Sequence, residues 1–88
     1  MNKKEYAKTA IKEFKKLGRM VTNTEIVGNQ KNLTLLVGCR EKGKSDAVKK
    51  LQSIAYKFDN LQYIKANDDG NGPSKAGYYH YVAVYKIK

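Results

Sequence analysis

The stretch GCREKGKS, residues 38–45, combines residue types that bind phosphate at a defined spacing. Gly38 is followed by four residues and then by Gly43, Lys44 and Ser45, which matches the P-loop pattern G-x-x-x-x-G-K-[ST]. In that motif backbone N–H groups wrap a phosphate, the lysine reaches the β and γ oxygens, and the serine hydroxyl holds magnesium. The spacing therefore indicates one function to be weighed, that of a minimal nucleotide binder.

The rest of the chain lacks the other parts of a P-loop nucleotidase. Such enzymes are built on a mostly parallel sheet with long crossover connections, and this chain has room for one crossover, through residues 46–58. The segment LQYIKAND reaches Asp68 only after Lys65 and Asn67, so no apolar strand ends in an aspartate that would hold magnesium. Nothing remains to form a base pocket or to position a water molecule. We therefore expect no nucleotide turnover.

A basic loop between glycines that leads into a helix can bind an anion without any nucleotide chemistry. Arg40, Lys42, Lys44 and the N–H groups near Ser45 are predicted to contact nucleic-acid phosphates in this way. The alternative is a solvated turn between a strand and a helix, in which Ser45 serves only as the helix N-cap.

Catalysis has little support in the sequence. The chain has one cysteine, Cys39, and one histidine, His80, and a nucleophile–base pair would require contact between them and an activating environment. We expect Cys39 to be a small apolar residue at the end of a strand and His80 a ring on a strand surface. Asp68 and Asp69 lie in a glycine-rich loop that lacks further ligands at the spacing of a cation site. No catalytic residue, metal or cofactor is predicted.

The charge of the chain indicates its class of partner. Its 88 residues predict one small domain, residues 1–88, and its formal net charge is +10. Such an excess favours a nucleic acid, or alternatively an acidic protein surface. A single cysteine suits a reducing cytoplasm, and the first residues lack the apolar core of a signal peptide. We expect a cytoplasmic protein, monomeric or dimeric, with no membrane partner.

Two segments carry apolar residues at helical spacing. The first covers residues 3–17, with Gly18 as its stop, and the second follows Ser45 and ends before residues 59–60. Four strand-like segments complete the chain, at 22–28, 33–39, 61–66 and 78–88, and a loop at 67–77 precedes the last of them. The apolar faces consist of Tyr6, Ala7, Ala10, Ile11, Phe14 and Leu17 in the first helix and Ala47, Val48, Leu51, Ile54, Ala55 and Phe58 in the second.

The order α-β-β-α-β-β predicts an α+β fold of two layers. Four strands joined mostly by hairpins form a largely antiparallel sheet, and two helices with one apolar face each are expected to cover the same side of it. The other side is then open to solvent or to a partner. We expect Phe14, Leu51 and Phe58 to lie buried between the layers.

The last strand, YYHYVAVYKIK, alternates between two different sets of side chains. If Val82 and Val84 face the helices, then Tyr79, Tyr81 and Tyr85 line the open face. Exposed aromatic rings among lysines would stack on unpaired bases or contact a protein, and Lys75 in the preceding loop would approach the same surface. The alternative is that the odd-numbered side is the buried one.

The sequence favours a non-enzymatic nucleic-acid-binding module, either DNA- or RNA-binding. A small phage or mobile-element regulator that inhibits a host protein by docking on it is the alternative of a different class. The stacking or partner-contact residues are those of the tyrosine strand. The predicted phosphate-binding residues are Arg40, Lys42, Lys44, Ser45, Lys49, Lys50, Lys12, Lys16 and Arg19.

Overall fold

The computed structural model describes residues 2–29, 31–42, 47–68, 70 and 73–88. Within them the chain forms two α-helices, a short 3-10 helix and four strands. The elements are α1 (Lys3–Lys15), the 3-10 helix (Gly18–Met20), β1 (Val21–Val27), β2 (Leu33–Lys42), α2 (Ala47–Ala55), β3 (Leu61–Asp68) and β4 (Tyr78–Ile87). The predicted α+β fold and element order are confirmed.

The strands form one sheet in the order β1-β2-β4-β3, and each neighbouring pair is antiparallel. As a result β2 and β3 run parallel to each other with β4 between them, and α2 makes the crossover that this arrangement requires. The β1–β2 hairpin turns at Gly28, whose φ of 95° favours glycine. The Asn29 side-chain oxygen accepts from the backbone N–H groups of Lys31 and Asn32, at 3.0 and 3.1 Å.

Helix α1 begins at Lys3 as predicted and ends at Lys15, two residues before the predicted end at residue 17. The Asn2 side chain accepts from the Glu5 N–H at 2.8 Å, which satisfies one of the free donors of the first turn. Gly18 has a φ of 71°, a conformation that lets the chain leave the helix. The predicted apolar face is confirmed, with three residues fully buried against the sheet: Ala7, Ala10 and Phe14.

Helix α2 covers the same face of the sheet as α1. Leu51, Ile54 and Ala55 belong to the same buried cluster as the residues of α1 and the inward residues of the strands. The predicted burial of Phe14 and Leu51 is confirmed, since both are completely inaccessible. Phe58, which follows α2, is only half-buried and contacts the Tyr6 ring edge-on at 5.6 Å between centroids. It therefore lies at the margin of the core and not in its centre. In the described part of the chain neither helix is long and apolar enough to cross a membrane.

The predicted orientation of β4 is wrong, because its odd-numbered side faces the helices. Tyr85 is fully buried, and its ring lies 5.4 Å from that of Phe14 and 5.7 Å from that of Tyr63. Val82, in contrast, is 40% exposed on the other side. The physical reason lies at the end of the strand. Facing the even-numbered side inward would bury Lys86 and expose Ile87, and a buried unpaired ammonium is far more costly than a buried tyrosine.

The Tyr85 hydroxyl predicts a stabilising substitution. Among the described residues this buried oxygen has no hydrogen-bond partner, and an unsatisfied buried hydroxyl costs about 1–3 kcal/mol. Tyr85→Phe keeps the ring contacts and is expected to raise the free energy of unfolding by roughly 1 kcal/mol in urea titrations. Tyr81→Phe, at a half-buried position of the same strand, is the control and should be neutral. Destabilisation by Tyr85→Phe would show that the hydroxyl has a partner.

The same variant has a consequence at alkaline pH. Burial raises the pKa of Tyr85 above its ordinary value of 10.0, so the folded state keeps the hydroxyl proton where the unfolded chain loses it. The free energy of unfolding of the wild type should therefore fall as the pH rises above about 10. That of Tyr85→Phe, measured by urea titration at the same pH values, should fall less steeply.

Candidate functional site

The segment that resembles a P-loop begins inside a strand. Residues Gly38–Lys42 are the second half of β2, and Gly38 is paired with Asn23 of β1 and with Val82 of β4. A phosphate cradle needs several free backbone N–H groups that converge on one point, whereas a strand aims them alternately at its two neighbours. Residues 38–42 are extended and do not form such a cradle, while nucleotide binding by the whole pattern stays a prediction. Lys44 and Ser45 lie outside the described residues.

The packing of β1 explains why position 38 is a glycine. The register of β1 shifts between Val21 and Asn23, and this irregularity brings the side chains of Thr22 and Asn23 over Gly38. A Cβ atom at this position would collide with the Asn23 side-chain oxygen. Strand packing by itself therefore accounts for a small residue at this position, since a larger one would have to displace the exposed side chains of Thr22 and Asn23.

Arg40 of this segment lines a cleft at one end of the sheet. Val21, the first residue of β1, pairs with Cys39, so β2 extends beyond β1 and its last residues pair only with β4. The space beside this overhang lies between the 3-10 helix, β2 and the first turn of α2. The cleft has a volume of about 350 Å³ and is lined by Arg19, Met20, Arg40, Glu41, Lys50 and Tyr78. We call it the basic cleft.

Arg40 is held in place by two contacts. Its Nε–H donates to the backbone carbonyl of Arg19 at 3.1 Å, and its guanidinium carbon lies 5.0 Å from the centre of the Tyr78 ring. The second contact is a cation–π interaction, for which arginine over tyrosine is well suited. Because the side chain is already oriented, binding an anion would restrict it less than it would a free arginine. Arg40 therefore presents an ordered positive charge at the cleft.

Lys50 and Glu41 form the side of the cleft next to the helices. The Lys50 Nζ lies 3.9 Å from the Glu41 Oε1, and the Lys50 side chain is more than half exposed. An ion pair this long and this exposed contributes little, so it leaves the lysine able to bind an anion. Glu41 itself is 16% exposed, and its Oε2 has no hydrogen-bond partner among the described residues. The carboxylate reduces the positive charge of the cleft without cancelling it.

The remaining predicted phosphate-binding residues lie at several places on the helical layer. Lys16 follows α1 a few residues before the cleft and pairs with Glu13 at 2.8 Å, a hydrogen bond that lowers the pKa of Glu13. Lys12 is exposed one turn earlier, and Lys49 is exposed in the first turn of α2. For Lys42 the structure describes the backbone alone. Lys16, Lys49 and the cleft residues thus share one end of the sheet.

The three predicted stacking tyrosines are not on the open face. Tyr85 is fully buried, while Tyr79 and Tyr81 are half-buried on the side that faces the helices. The aromatic side chain that β4 presents on the open face near the cleft is Tyr78, which belongs to the same side of the strand as Val82 and Val84. The signal that identifies the buried side is the terminal pair Lys86 and Ile87. The two side chains point to opposite faces, and burial of the Lys86 ammonium would cost far more free energy than burial of Ile87.

Lys75 lies in the turn that leads into β4. The Ser74 N–H donates to the Tyr78 carbonyl at 2.8 Å, and the Tyr78 N–H donates to the Ser74 hydroxyl at 3.1 Å. Gly77, with a φ of 85°, closes this turn. Lys75 is exposed on it, close in the chain to the Tyr78 that lines the cleft.

Cys39 and His80 cannot act as a catalytic pair. Cys39 faces the helices and is buried, and burial raises the pKa of its thiol to about 11, which disfavours the thiolate. His80 lies across from Arg40 in the register of β2 and β4, and its side chain is on the opposite face of the sheet from Cys39. Among the described residues no group of three His, Cys, Asp or Glu side chains is placed to hold a metal ion.

The described site is thus a cationic cleft with two arginines, one of them oriented, a largely exposed lysine and an aromatic wall. Its chemistry is that of anion binding through charge-assisted hydrogen bonds. Comparison with protein-family models, with curated proteins and with solved structures finds no match, so the geometry and charge of this cleft carry the functional argument.

Proposed function

We propose that this protein is a non-enzymatic nucleic-acid-binding module that contacts the phosphate backbone largely independently of base sequence. The observation that supports this most directly is the convergence of Arg19, Arg40 and Lys50 on one cleft. The three residues come from the 3-10 helix, β2 and α2, which are far apart in the chain. Only the tertiary fold brings their charges together.

A polymeric anion fits this arrangement better than a small one. Positive charges continue beyond the cleft on the same end of the protein, at Lys16 and Lys49, and the whole chain carries a net charge of +10. A polyanion can contact several of these groups together and release the counterions that surround it, which a single phosphate ion cannot do.

The composition of the cleft favours recognition of the backbone over recognition of bases. Its described lining contains arginine, lysine, glutamate, methionine and tyrosine, and neither asparagine nor glutamine. Amide side chains, the usual partners of adenine edges, are absent from it, while lysine and arginine bind phosphates of any sequence and among the bases favour guanine alone. We therefore expect affinities that vary little with sequence at constant length and salt.

The test is binding of labelled DNA and RNA, single- and double-stranded, across a salt series from roughly 50 to 200 mM. With three phosphate contacts, the logarithm of the association constant should fall linearly with the logarithm of salt concentration, with a slope of about −2 to −3. Absence of binding at the lowest salt would overturn the proposal. The same charges would then support the other hypothesis, docking on an acidic surface of another protein.

A further inference from the structure

The face of the sheet opposite the helices carries exposed apolar side chains on β4 and on the edge strand β3. Ile64 is 47% exposed and Val82 is 40% exposed, while Leu36 and Val84 beside them are half-buried. Ile64 lies at the irregularity of β3 between Tyr63 and Lys65, where the register shifts. We call the surface formed by Leu36, Ile64, Val82 and Val84 the apolar patch.

Positive charges and polar rings surround the apolar patch and connect it to the basic cleft. Along β4 the side chains on this face follow in the order Tyr78, His80, Val82, Val84, and Arg40 of β2 pairs with His80. With a rise of about 3.3 Å per residue, the four positions span roughly 20 Å. Lys65 and Lys86 flank the other end, and Glu25 is the acidic residue that β1 contributes to this face.

The charge of this surface selects the class of its occupant. A second copy of the chain would bring another +10 charge against it, which is unfavourable at close range. A polyanion with apolar parts would satisfy both the cations at the rim and the uncovered side chains of the apolar patch. Single-stranded nucleic acid has this composition, because its phosphates are charged and its unpaired bases have apolar faces.

A duplex does not fit the same surface. Its bases are stacked inside and their faces are not accessible, so a flat sheet would meet only phosphates and sugars. Contact with a duplex would therefore leave Ile64 and Val82 without an apolar partner, whereas unpaired bases can lie directly on them.

Building on the proposed function, we infer that the protein prefers single-stranded nucleic acid, with phosphates in the basic cleft and bases over the apolar patch. Arg40 connects the two regions, since it lines the cleft and stacks on Tyr78 at the edge of the open face. The inference places base contacts on a different set of side chains from the tyrosines that the alternation of β4 indicated.

The test uses a labelled oligothymidine of about 15 nucleotides, a typical site size, and a mixed-sequence duplex of the same length. The wild type should bind the single strand at least about tenfold more tightly at matched salt, a preference that burial of roughly 55 Å² of apolar surface would supply. The double variant Ile64→Thr/Val82→Thr retains β-branched residues and so keeps the strand conformation. It should lose most of that preference, while its salt slope and its affinity for the duplex should not change.

A matched control is available on the opposite side of the protein. Tyr56 is 85% exposed after α2, on the helical layer, so Tyr56→Thr removes a more exposed apolar group without touching the open face. It should leave the affinity for the single strand unchanged, and thermal unfolding should show that all variants are folded.

Three results would overturn the inference. The first is that the wild type binds the duplex as tightly as the single strand or more tightly. The second is that the double variant keeps the wild-type preference for the single strand. Either result would leave the proposed function unaffected. No binding of either probe at low salt would overturn the inference together with the proposed function, and would instead favour a protein as the occupant of the apolar patch.

Discussion

Phe14→Ala is expected to lower the free energy of unfolding by about 3–5 kcal/mol, the range measured for removal of a fully buried aromatic ring. Phe14 is completely inaccessible, lies on the buried face of α1 and contacts the Tyr85 ring at 5.4 Å between centroids. Its removal would leave a cavity between the helical layer and the centre of the sheet, and neither layer can collapse into it without moving the other.

The size of the protein makes this loss severe. Domains of this length are stabilised by only about 5–10 kcal/mol, so the variant should lose roughly a third of that stability or more. Urea unfolding followed by far-ultraviolet circular dichroism measures the change, with the slope of the transition as a check on two-state behaviour. An unchanged midpoint for Phe14→Ala would contradict the packing of α1 described here.

Phe58→Ala is the matched control for this prediction. The same side chain is removed, but Phe58 is half-buried at the margin of the core and contacts Tyr6 edge-on. Because part of its surface already contacts water, its loss should destabilise the protein by about half as much or less. Equal effects at the two positions would mean that the helices are packed more evenly over the sheet than their burial indicates.

Replacing the three cations of the basic cleft is expected to have the largest effect on binding. The triple variant Arg19→Ala/Arg40→Ala/Lys50→Ala should weaken nucleic-acid binding about 100-fold at low salt, at roughly 1 kcal/mol for each phosphate contact. The magnitude of the salt slope should fall by about 2–3, since each phosphate that the variant no longer neutralises keeps its condensed counterion.

The control variant changes the same amount of charge elsewhere. Lys4, Lys8 and Lys31 are exposed on α1 and in the β1–β2 loop, away from the cleft, and their replacement by alanine also removes three positive charges. Long-range attraction is therefore reduced equally in the two variants, and any difference between them reports direct contacts in the cleft. Equal losses in the two triple variants would show that net charge alone drives binding and that the basic cleft is not the site.

The sequence alone determined the elements and the class of fold. The spacing of Ala7, Ala10 and Phe14 defined the buried face of α1, and Gly18 marked its end, because helical periodicity and glycine conformation are local properties. Likewise, two helices with one apolar face each can both bury that face against the same side of a sheet, so the two-layer architecture followed from the element order.

Tertiary contacts fixed which side of β4 is buried, for which the sequence offered the terminal pair Lys86 and Ile87 as its one signal, and they alone determined what the Gly38 segment does. Both sides of β4 are apolar enough to enter a core, so local alternation did not distinguish them. Contacts with Phe14 and Tyr63 from distant segments, together with the solvation of Lys86, place the odd-numbered side of β4 in the core.

The spacing at residues 38–45 was equally ambiguous, because a glycine that permits a phosphate loop also permits close strand packing. The pairing of β2 with β1 and β4 placed that glycine inside the sheet, and the overhang of β2 then brought Arg40 beside Arg19 and Lys50, which no local pattern in the chain connects.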